Sequence, residues 1–259
     1  ASDVYKRQDY YLSEREEKDI LFLNSRSVPI VLLINAGGPV ELTDILEKAQ
    51  WIKGILNISQ LGQEGGRAVA RILLGEAVPS GKLTTTWAKK YADVPFAENF
   101  SYLNGNLELE EYKEGIYVGY RYFDSFGVKP LFPFGFGLSY TDFKIQFCSI
   151  EIDKDKIAVN VSVENIGNTF AGREVVQVYV SLPPGRIEKE YHRLVGYAKT
   201  NVLKPGEKQE LKILFDGKTI ASFFEDANAW IVETGKYGLW IGNNSANLKL
   251  EAFLSLIHI

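Results

Sequence analysis

Hydrophobic and polar positions follow two rhythms along this chain, and the change falls near its middle. In the first part, continuous apolar runs alternate with helix-period stripes. Ser13 followed by Glu16 is a capping box that opens a helix through Ile20, Leu21 and Leu23. Val28 to Ala36 (VPIVLLINA), closed by Gly37, Gly38 and Pro39, predicts a strand buried on both faces. Pro39 suits a helical first turn, with Leu42, Ile45, Leu46 and Ala49 on one apolar face. Ile52 to Ile58 predicts a second strand. Gly62 to Gly75 predicts a helix that turns Ala68, Val69, Ile72 and Leu73 inward and stops at Gly75. PSGKLTTTW (79–87) predicts a turn and a further strand. Strand–helix–strand–helix order implies a parallel sheet with right-handed crossovers.

Beyond residue 141 the period becomes two. Ile157, Val159, Val161 and Val163 alternate with polar residues, and similar runs recur at 143–150, 173–182, 190–199, 208–214, 229–233, 236–242 and 247–253. NIGN (165–168), LPPG (182–185) and LKPGE (203–207) supply turns between them. This spacing predicts an antiparallel β-sandwich. Cys148 is the only cysteine, so the fibronectin type III-like form is expected rather than the disulfide-bonded immunoglobulin form. The expected fold class is therefore multidomain, a partial α/β sandwich domain with a parallel sheet followed by an all-β domain.

Gly115 to Thr141 (GIYVGYRYFDSFGVKPLFPFGFGLSYT) obeys neither rhythm. Its 27 residues hold five glycines, two prolines and nine aromatics. Glycine interrupts regular elements, while so many rings are costly to leave in water. The segment is expected to be an ordered, buried connector and not a flexible linker.

Composition narrows the field. The 259 residues carry a net charge of −4, with no basic stripe for nucleic acid and no apolar run near the roughly 18 residues of a membrane span. One cysteine and two histidines, His192 and His258, exclude intrachain disulfides and make a histidine-cluster metal site unexpected. The two ends stand apart. Back-translated, residues 3–8 (DVYKRQ) and 254–259 (LSLIHI) give nearly reverse-complementary DNA that matches a transposase mosaic end, so 1–8 and 254–259 are expected to be adapter-derived. The expected division is then 9–95 for the α/β part, 96–141 for the connector and 142–253 for the sandwich.

Several catalytic motifs fail on inspection. GEAVPSGKL (75–83) is one residue too long for a phosphate loop and has Leu83 where magnesium needs Ser or Thr. Gly37-Gly38 lacks the third glycine of a dinucleotide fingerprint, and GFGLSYT has no G-x-S-x-G elbow. His192, near Glu188 and Glu190, reads as a structural histidine of a strand. Asn57, Asn99, Asn160 and Asn243 fit the glycosylation pattern, though two of them fall in predicted strands. Glu108, Glu110, Glu111 and Glu114 could in principle supply a glycosidase pair. Four carboxylates in seven residues of a polar loop read better as a solvated surface.

YYLSEREE (10–17), VPIVLLINAGGPVEL (28–42), GQEGGRAVARILLGEAVPSGKL (62–83), EGIYVGYRYFD (114–124) and PLFPFGFGLSYT (130–141) follow one another as in glycoside hydrolase family 3, which the chain closely resembles. EVVQVYVSLP (174–183), RLVGYAKTNVLKPGE (193–207) and GKYGLWIG (235–242) continue the likeness. The resemblance implies a larger, three-part enzyme: a barrel, an α/β sandwich domain and a fibronectin type III-like domain. It implies a retaining exo-β-glycosidase, most simply a β-glucosidase, acting on β-linked oligosaccharides or aryl glycosides without metal or organic cofactor. The implied nucleophile is an Asp of the absent N-terminal barrel, with a Glu acid/base about 5 to 5.5 Å away. In many members that Glu lies in a Gly-Glu-Gly-x-Asp-Arg stretch just before the YYLS helix, so no catalytic residue is expected within this chain. Glu14, Glu16 and Glu17 fit helix-surface and capping roles, and Glu64 a hydrogen-bonding role at a helix start. A β-xylosidase or N-acetylglucosaminidase remains the rival within enzymes, and a non-catalytic carbohydrate-binding or adhesion module the rival outside them. Oligomeric state stays open, as does location, whether periplasmic, secreted or cytoplasmic.

Overall fold

A computed structural model of the chain describes residues 10–99, 105, 106, 108, 109 and 111–256. The chain divides into two compact units that interleave in sequence. One comprises Ala1–Ala77, Thr85–Glu114 and Lys129–Phe132; the other comprises Val78–Thr84, Gly115–Val128 and Pro133–Ile259.

In the first unit, helix α1 (Glu14–Ser25) starts at the predicted capping box. The Ser13 hydroxyl accepts from the Glu16 N–H, and the Glu16 carboxylate accepts from the Ser13 N–H at 2.8 Å. At the other end Asn24 accepts from the Trp51 N–H at 3.0 Å, fixing the approach to the second strand. Strands β1 (Ile30–Ile34) and β2 (Ile52–Asn57) pair in parallel, as expected, with helix α2 (Thr43–Lys48) between them and α3 (Gly65–Leu73) after them. Three details differ from expectation. Pro39 precedes α2 by four residues, because the Glu41 N–H donates to the Tyr10 carbonyl at 2.7 Å and holds that stretch extended. Residues 79–87 form no regular strand; Trp87 makes only an isolated bridge to Phe132.

The third difference is burial. Ile30, Leu32 and Ile34 are buried, whereas Val31 and Leu33 on the opposite face are 49% and 44% exposed. Among the described residues the sheet has two strands, so only one face is covered and the apolar run reads out as alternation. Helix α3 likewise buries only Gly65, with Leu73 49% exposed.

The second unit is the sandwich. One sheet runs β11-β10-β5-β6 and the other β3-β4-β7, all antiparallel. The strands are β3 (Phe143–Asp153), β4 (Lys156–Asn165), β5 (Val175–Ser181), β6 (His192–Lys199), β7 (Lys208–Asp216), β10 (Gly235–Asn244) and β11 (Asn247–Leu256). Val159, Val161 and Val163 of one sheet and Val176, Val178 and Val180 of the other have no exposed area and form the core with Ile213, Leu239 and Ile241. Cys148 stands at a bulge where the register of β3 on β4 shifts, which interrupts the alternation of β3. A short helix α4 (Tyr120–Ser125) lies in the aromatic segment. Helix α5 (Gly217–Ile220) and the hairpin β8 (Ser222–Phe224) with β9 (Ala229–Ile231) follow β7, and sequence patterning missed α5 and β8. Asp216 caps α5 by accepting from the Thr219 N–H. Strand β11 runs through Leu256, three residues past the expected boundary at 253, with Leu254 turned into the core at 2% exposure.

The aromatic segment packs onto this sandwich through 115–128 and 133–141. Tyr120 stacks on Phe134 at 5.1 Å and meets Tyr179 of β5 edge-on at 5.6 Å, while its hydroxyl accepts from the Leu194 N–H of β6. Gly135 has φ +80°, and a side chain there would strike Gln177; one at Gly137 would strike the Gly81 carbonyl. Glycine is required at both.

Asn165, at the end of β4, shows how tightly the turns are tied. It is fully buried, accepts from the Thr141 hydroxyl and the Gly167 N–H, and donates to the Phe170 and Leu203 carbonyls. Asn165→Ala strands several buried polar groups, so urea unfolding is expected to register a loss of about 3 kcal/mol. In the first unit, the exposed Val31 and Leu33 predict self-association of the purified chain. Size-exclusion chromatography should show oligomers that the double substitution Val31→Lys/Leu33→Lys reduces; a sharp monomer peak for the unaltered chain would refute this.

Candidate functional site

The carboxylates singled out by sequence occupy separate surfaces and do not converge. Glu110 lies outside the described residues. Glu111 pairs with Lys113 at 2.9 Å on the exposed surface, and Glu108 is exposed. Glu14 pairs with Lys18 across one helical turn, and Glu16 serves the capping box, whose Ser13 hydrogen bonds hold its carboxyl below the usual range. Glu64 stands at the N-cap of α3 but makes no capping bond with its side chain. The side chain instead reaches Arg67 at 3.9 Å in solvent, so the expected hydrogen-bonding role at the helix start is carried by its backbone carbonyl, which accepts from Ala68. Asn160 and Asn243 lie in strands β4 and β10 with their amides hydrogen-bonded to Ser149, Glu151 and Glu174.

Two polar clusters in the sandwich unit do converge. In the first, Lys82 meets Glu174 at 2.7 Å, with side chains only 12% and 9% exposed. Lys82 also donates to the Gly137 carbonyl, and Glu174 accepts from the Val175 N–H and the Asn243 amide. Lys199 donates to the Ser80 carbonyl at 2.8 Å, and burial followed by the Arg173 and Lys82 charges pushes its ammonium below the usual range. Beside the pair is a cavity of about 120 Å³ whose lining includes Ser139, Asp142, Arg173 and Asn243. Ordinary ligand clefts start at about 300 Å³. The cavity is too small for a sugar site, and the ion pair acts as an anchor for the 78–84 and 135–137 backbone.

The second cluster sits where β6 begins. Glu190 is 1% exposed and accepts a two-pronged bond from Arg193, at 2.7 and 2.9 Å, with Arg121 of α4 a further 3.6 Å contact. Arg193 spends its remaining donors on the Thr219 and Ala221 carbonyls and the Ser222 hydroxyl. Burial pushes the Glu190 carboxyl up, but the hydrogen bonds and charge of Arg193, with Arg121 behind, reverse this and leave it below the usual range. Tyr117 lies close by, its hydroxyl pushed up by burial and by a bond to Glu188. His192 is 6% exposed, as expected of a structural histidine, and its Nδ1 lies 3.9 Å from Asp124 of α4. Sequence reading missed the Glu190–Arg193–Arg121 network, whose only local signal is a Glu three residues before an Arg.

In both clusters the buried glutamate is held by opposite charge, Glu174 by Lys82 and Glu190 by Arg193. Among the described residues no group of three or more His, Cys, Asp or Glu could hold a metal ion. Because the Glu190 carboxyl is depressed in the folded chain, its contribution is present above the unfolded value of about 4.3 and disappears as pH falls through the folded value. Glu190→Gln should therefore lose about 3 kcal/mol in urea unfolding at pH 7, since it leaves Arg193 buried without its partner. The gap between the two proteins should narrow as pH is lowered below about 4; a gap constant with pH would contradict the pairing.

Two family models match the chain in order: the glycosyl hydrolase family 3 C-terminal domain over residues 1–140 and the fibronectin type III-like domain over residues 174–245. The chain is 36% identical to Beta-glucosidase A of Butyrivibrio fibrisolvens, over 96% of this chain and 32% of that protein. It is also 36% identical to a Beta-glucosidase of Ruminococcus albus, over 94% and 26% respectively. Among solved structures, beta-glucosidase 3B from Thermotoga neapolitana, in complex with alpha-D-glucose, superposes with a TM-score of 0.87 at 38% identity, over 95% of this chain and 34% of that one. The chain thus spans about a third or less of the length of these relatives. With both models matched in order, and with an α/β unit and a fibronectin type III-like sandwich in place, the chain belongs to glycosyl hydrolase family 3.

Proposed function

We propose that this chain is the C-terminal part of a retaining exo-β-glycosidase that removes terminal β-glucosyl residues. The carrying observation is that similarity to proteins named beta-glucosidases extends over nearly the whole chain while covering about a third of theirs. In this reading 9–95 contributes to an α/β sandwich domain, 96–141 connects it in sequence to the fibronectin type III-like domain at 142–253, and 1–8 and 254–259 are adapter-derived. The substrate is a β-linked oligosaccharide or aryl glycoside, and the partner in catalysis is an N-terminal barrel.

The catalytic pair belongs to that other part. A retaining pair needs two carboxyl groups about 5 to 5.5 Å apart, one ionised to attack and one protonated to donate. Support comes from how the acids of this chain are used. Glu174, Glu190 and Glu233 are each bound to Lys82, Arg193 and Lys189 respectively, and a carboxylate locked to a cation is a poor proton donor. The role left to this chain is scaffolding.

Purified chain should not hydrolyse an aryl β-glucoside. Turnover that a single Glu or Asp substitution within 9–253 abolishes would overturn the assignment of the pair. Grafting the chain in place of the matching third of the Butyrivibrio fibrisolvens enzyme should give an active chimera. A monodisperse, folded chimera without turnover would count against the scaffold reading.

A further inference from the structure

His192 and Asp124 leave three buried polar atoms without a partner. Asp124 Oδ2 and both ring nitrogens of His192 are shielded from solvent and make no hydrogen bond among the described residues. Such groups are rare in folded proteins because each carries a full desolvation cost. Nδ1 and Oδ2 face each other at 3.9 Å, beyond hydrogen-bond length, and neither has another hydrogen-bond partner among the described residues. The pair bridges helix α4 and the first residue of β6.

The surroundings suit a cation at the ring. His192 lies 4.1 Å from the Tyr191 ring and 4.9 Å from Trp240 of β10, centroid to centroid, with Tyr179 of β5 at 6.4 Å. Aromatic rings within about 6 Å stabilise a positive charge. The charged groups nearby are few. Helix α4 offers Asp124 and Arg121, and the start of β6 offers Glu190 and Arg193, of which Glu190 is already committed to both arginines. Strand β5 offers Tyr179, whose hydroxyl burial pushes up and which donates to Gln177, so it stays neutral. Strand β10 offers only Trp240, whose indole N–H is taken by Ser181. Asp124 is the carboxylate left to answer a proton on His192.

We propose that His192 and Asp124 form a proton-operated latch that draws helix α4 onto the start of β6 when the imidazole is protonated. In the neutral ring Nδ1 has no bonded acceptor. A neutral ring carries its single proton on either nitrogen, whereas in the charged ring Nδ1 is always a donor, and a shift of about 1 Å brings it to Oδ2 in a charge-assisted bond. In the charged ring Nε2 is a second N–H donor, buried without an acceptor among the described residues. The same helix carries Tyr120, whose ring and hydroxyl hold Phe134, Tyr179 and Leu194, so the latch acts on the packing of the whole aromatic segment. A bond that needs the charged ring stabilises the fold on the acid side.

The test uses the full chain carrying His258→Gln, which leaves His192 as the only histidine. Thermal midpoints and ring NMR resonances are followed from pH 8 to pH 5.5, the range in which histidine is the side chain that changes charge. The midpoint should rise by about 3 °C toward pH 5.5 relative to the same chain with His192→Gln. The acid-form ring should show a protected Nδ1 proton with cross-peaks to the Asp124 β-protons. Asp124→Asn should remove both the rise and the protected proton, and it carries the comparison by itself if His192→Gln fails to fold. Parallel midpoint profiles, or a ring that stays neutral throughout, would overturn the proposal.

Discussion

Six valines, three from each sheet, are the constraint from which the sandwich unit follows. Val159, Val161 and Val163 on β4 and Val176, Val178 and Val180 on β5 are all fully buried. Spacing by two puts each set on a single face, so the sheets can only be arranged with those faces together. A one-residue slip of β4 would turn three valines outward and Asn160, Ser162 and Glu164 inward, and a slip of β5 would force Gln177 and Tyr179 between the sheets. The register thereby fixed carries the polar residues at the strand ends. Asn165 closes β4, Glu174 precedes β5, Tyr179 sits within β5, and the Glu190–Arg193 network opens β6. Their positions are consequences of the hydrophobic register.

Those polar residues then do what the valines cannot. Apolar burial is indifferent to direction, whereas Asn165 makes four hydrogen bonds whose partners come from three stretches of chain, at Thr141, at 167–170 and at Leu203. Lys82 with Glu174 and Arg193 with Glu190 likewise tie loops to strands with defined geometry. Buried charges add little net stability against an apolar replacement, yet removing one partner is costly. Their effect is to fix where the 78–84, 133–141 and 217–222 segments lie on the sandwich.

The sequence made the sandwich legible because its signal is local. Alternation at 157–163 shows in the residues themselves, and the observed strand β4 contains it whole. Continuous apolar runs are less informative. VPIVLLINA predicted burial on both faces, but burial depends on what covers the sheet, and Val31 and Leu33 are exposed because one face is uncovered here. Pro39 suggested a helix start, and a backbone bond from Glu41 to Tyr10, nonlocal in sequence, keeps the chain extended instead. The bulge at Cys148 and the partner of Lys82, which lies 92 positions along the chain, have the same character. Both depend on contacts between positions apart in sequence, which no local pattern encodes, whereas the cap at Asp216 is a local bond from the Thr219 N–H that sequence patterning passed over.

The segment 115–141 shows why strong family motifs need not mark chemistry. Its glycines are required by backbone geometry: Gly135 combines a positive φ with a wall formed by Gln177, and Gly137 lies against the Gly81 carbonyl. Its rings are required by packing, as Tyr120 meets Phe134 and Tyr179 while holding the Leu194 N–H. A position bound by both backbone and packing tolerates fewer residues than a position bound by either. The result is a sequence pattern as narrow as that of an active site. Two buried acids tied into the same packing, Glu190 and Glu174, are neutralised by Arg193 and Lys82. A segment can therefore name a hydrolase family through the demands of assembly alone.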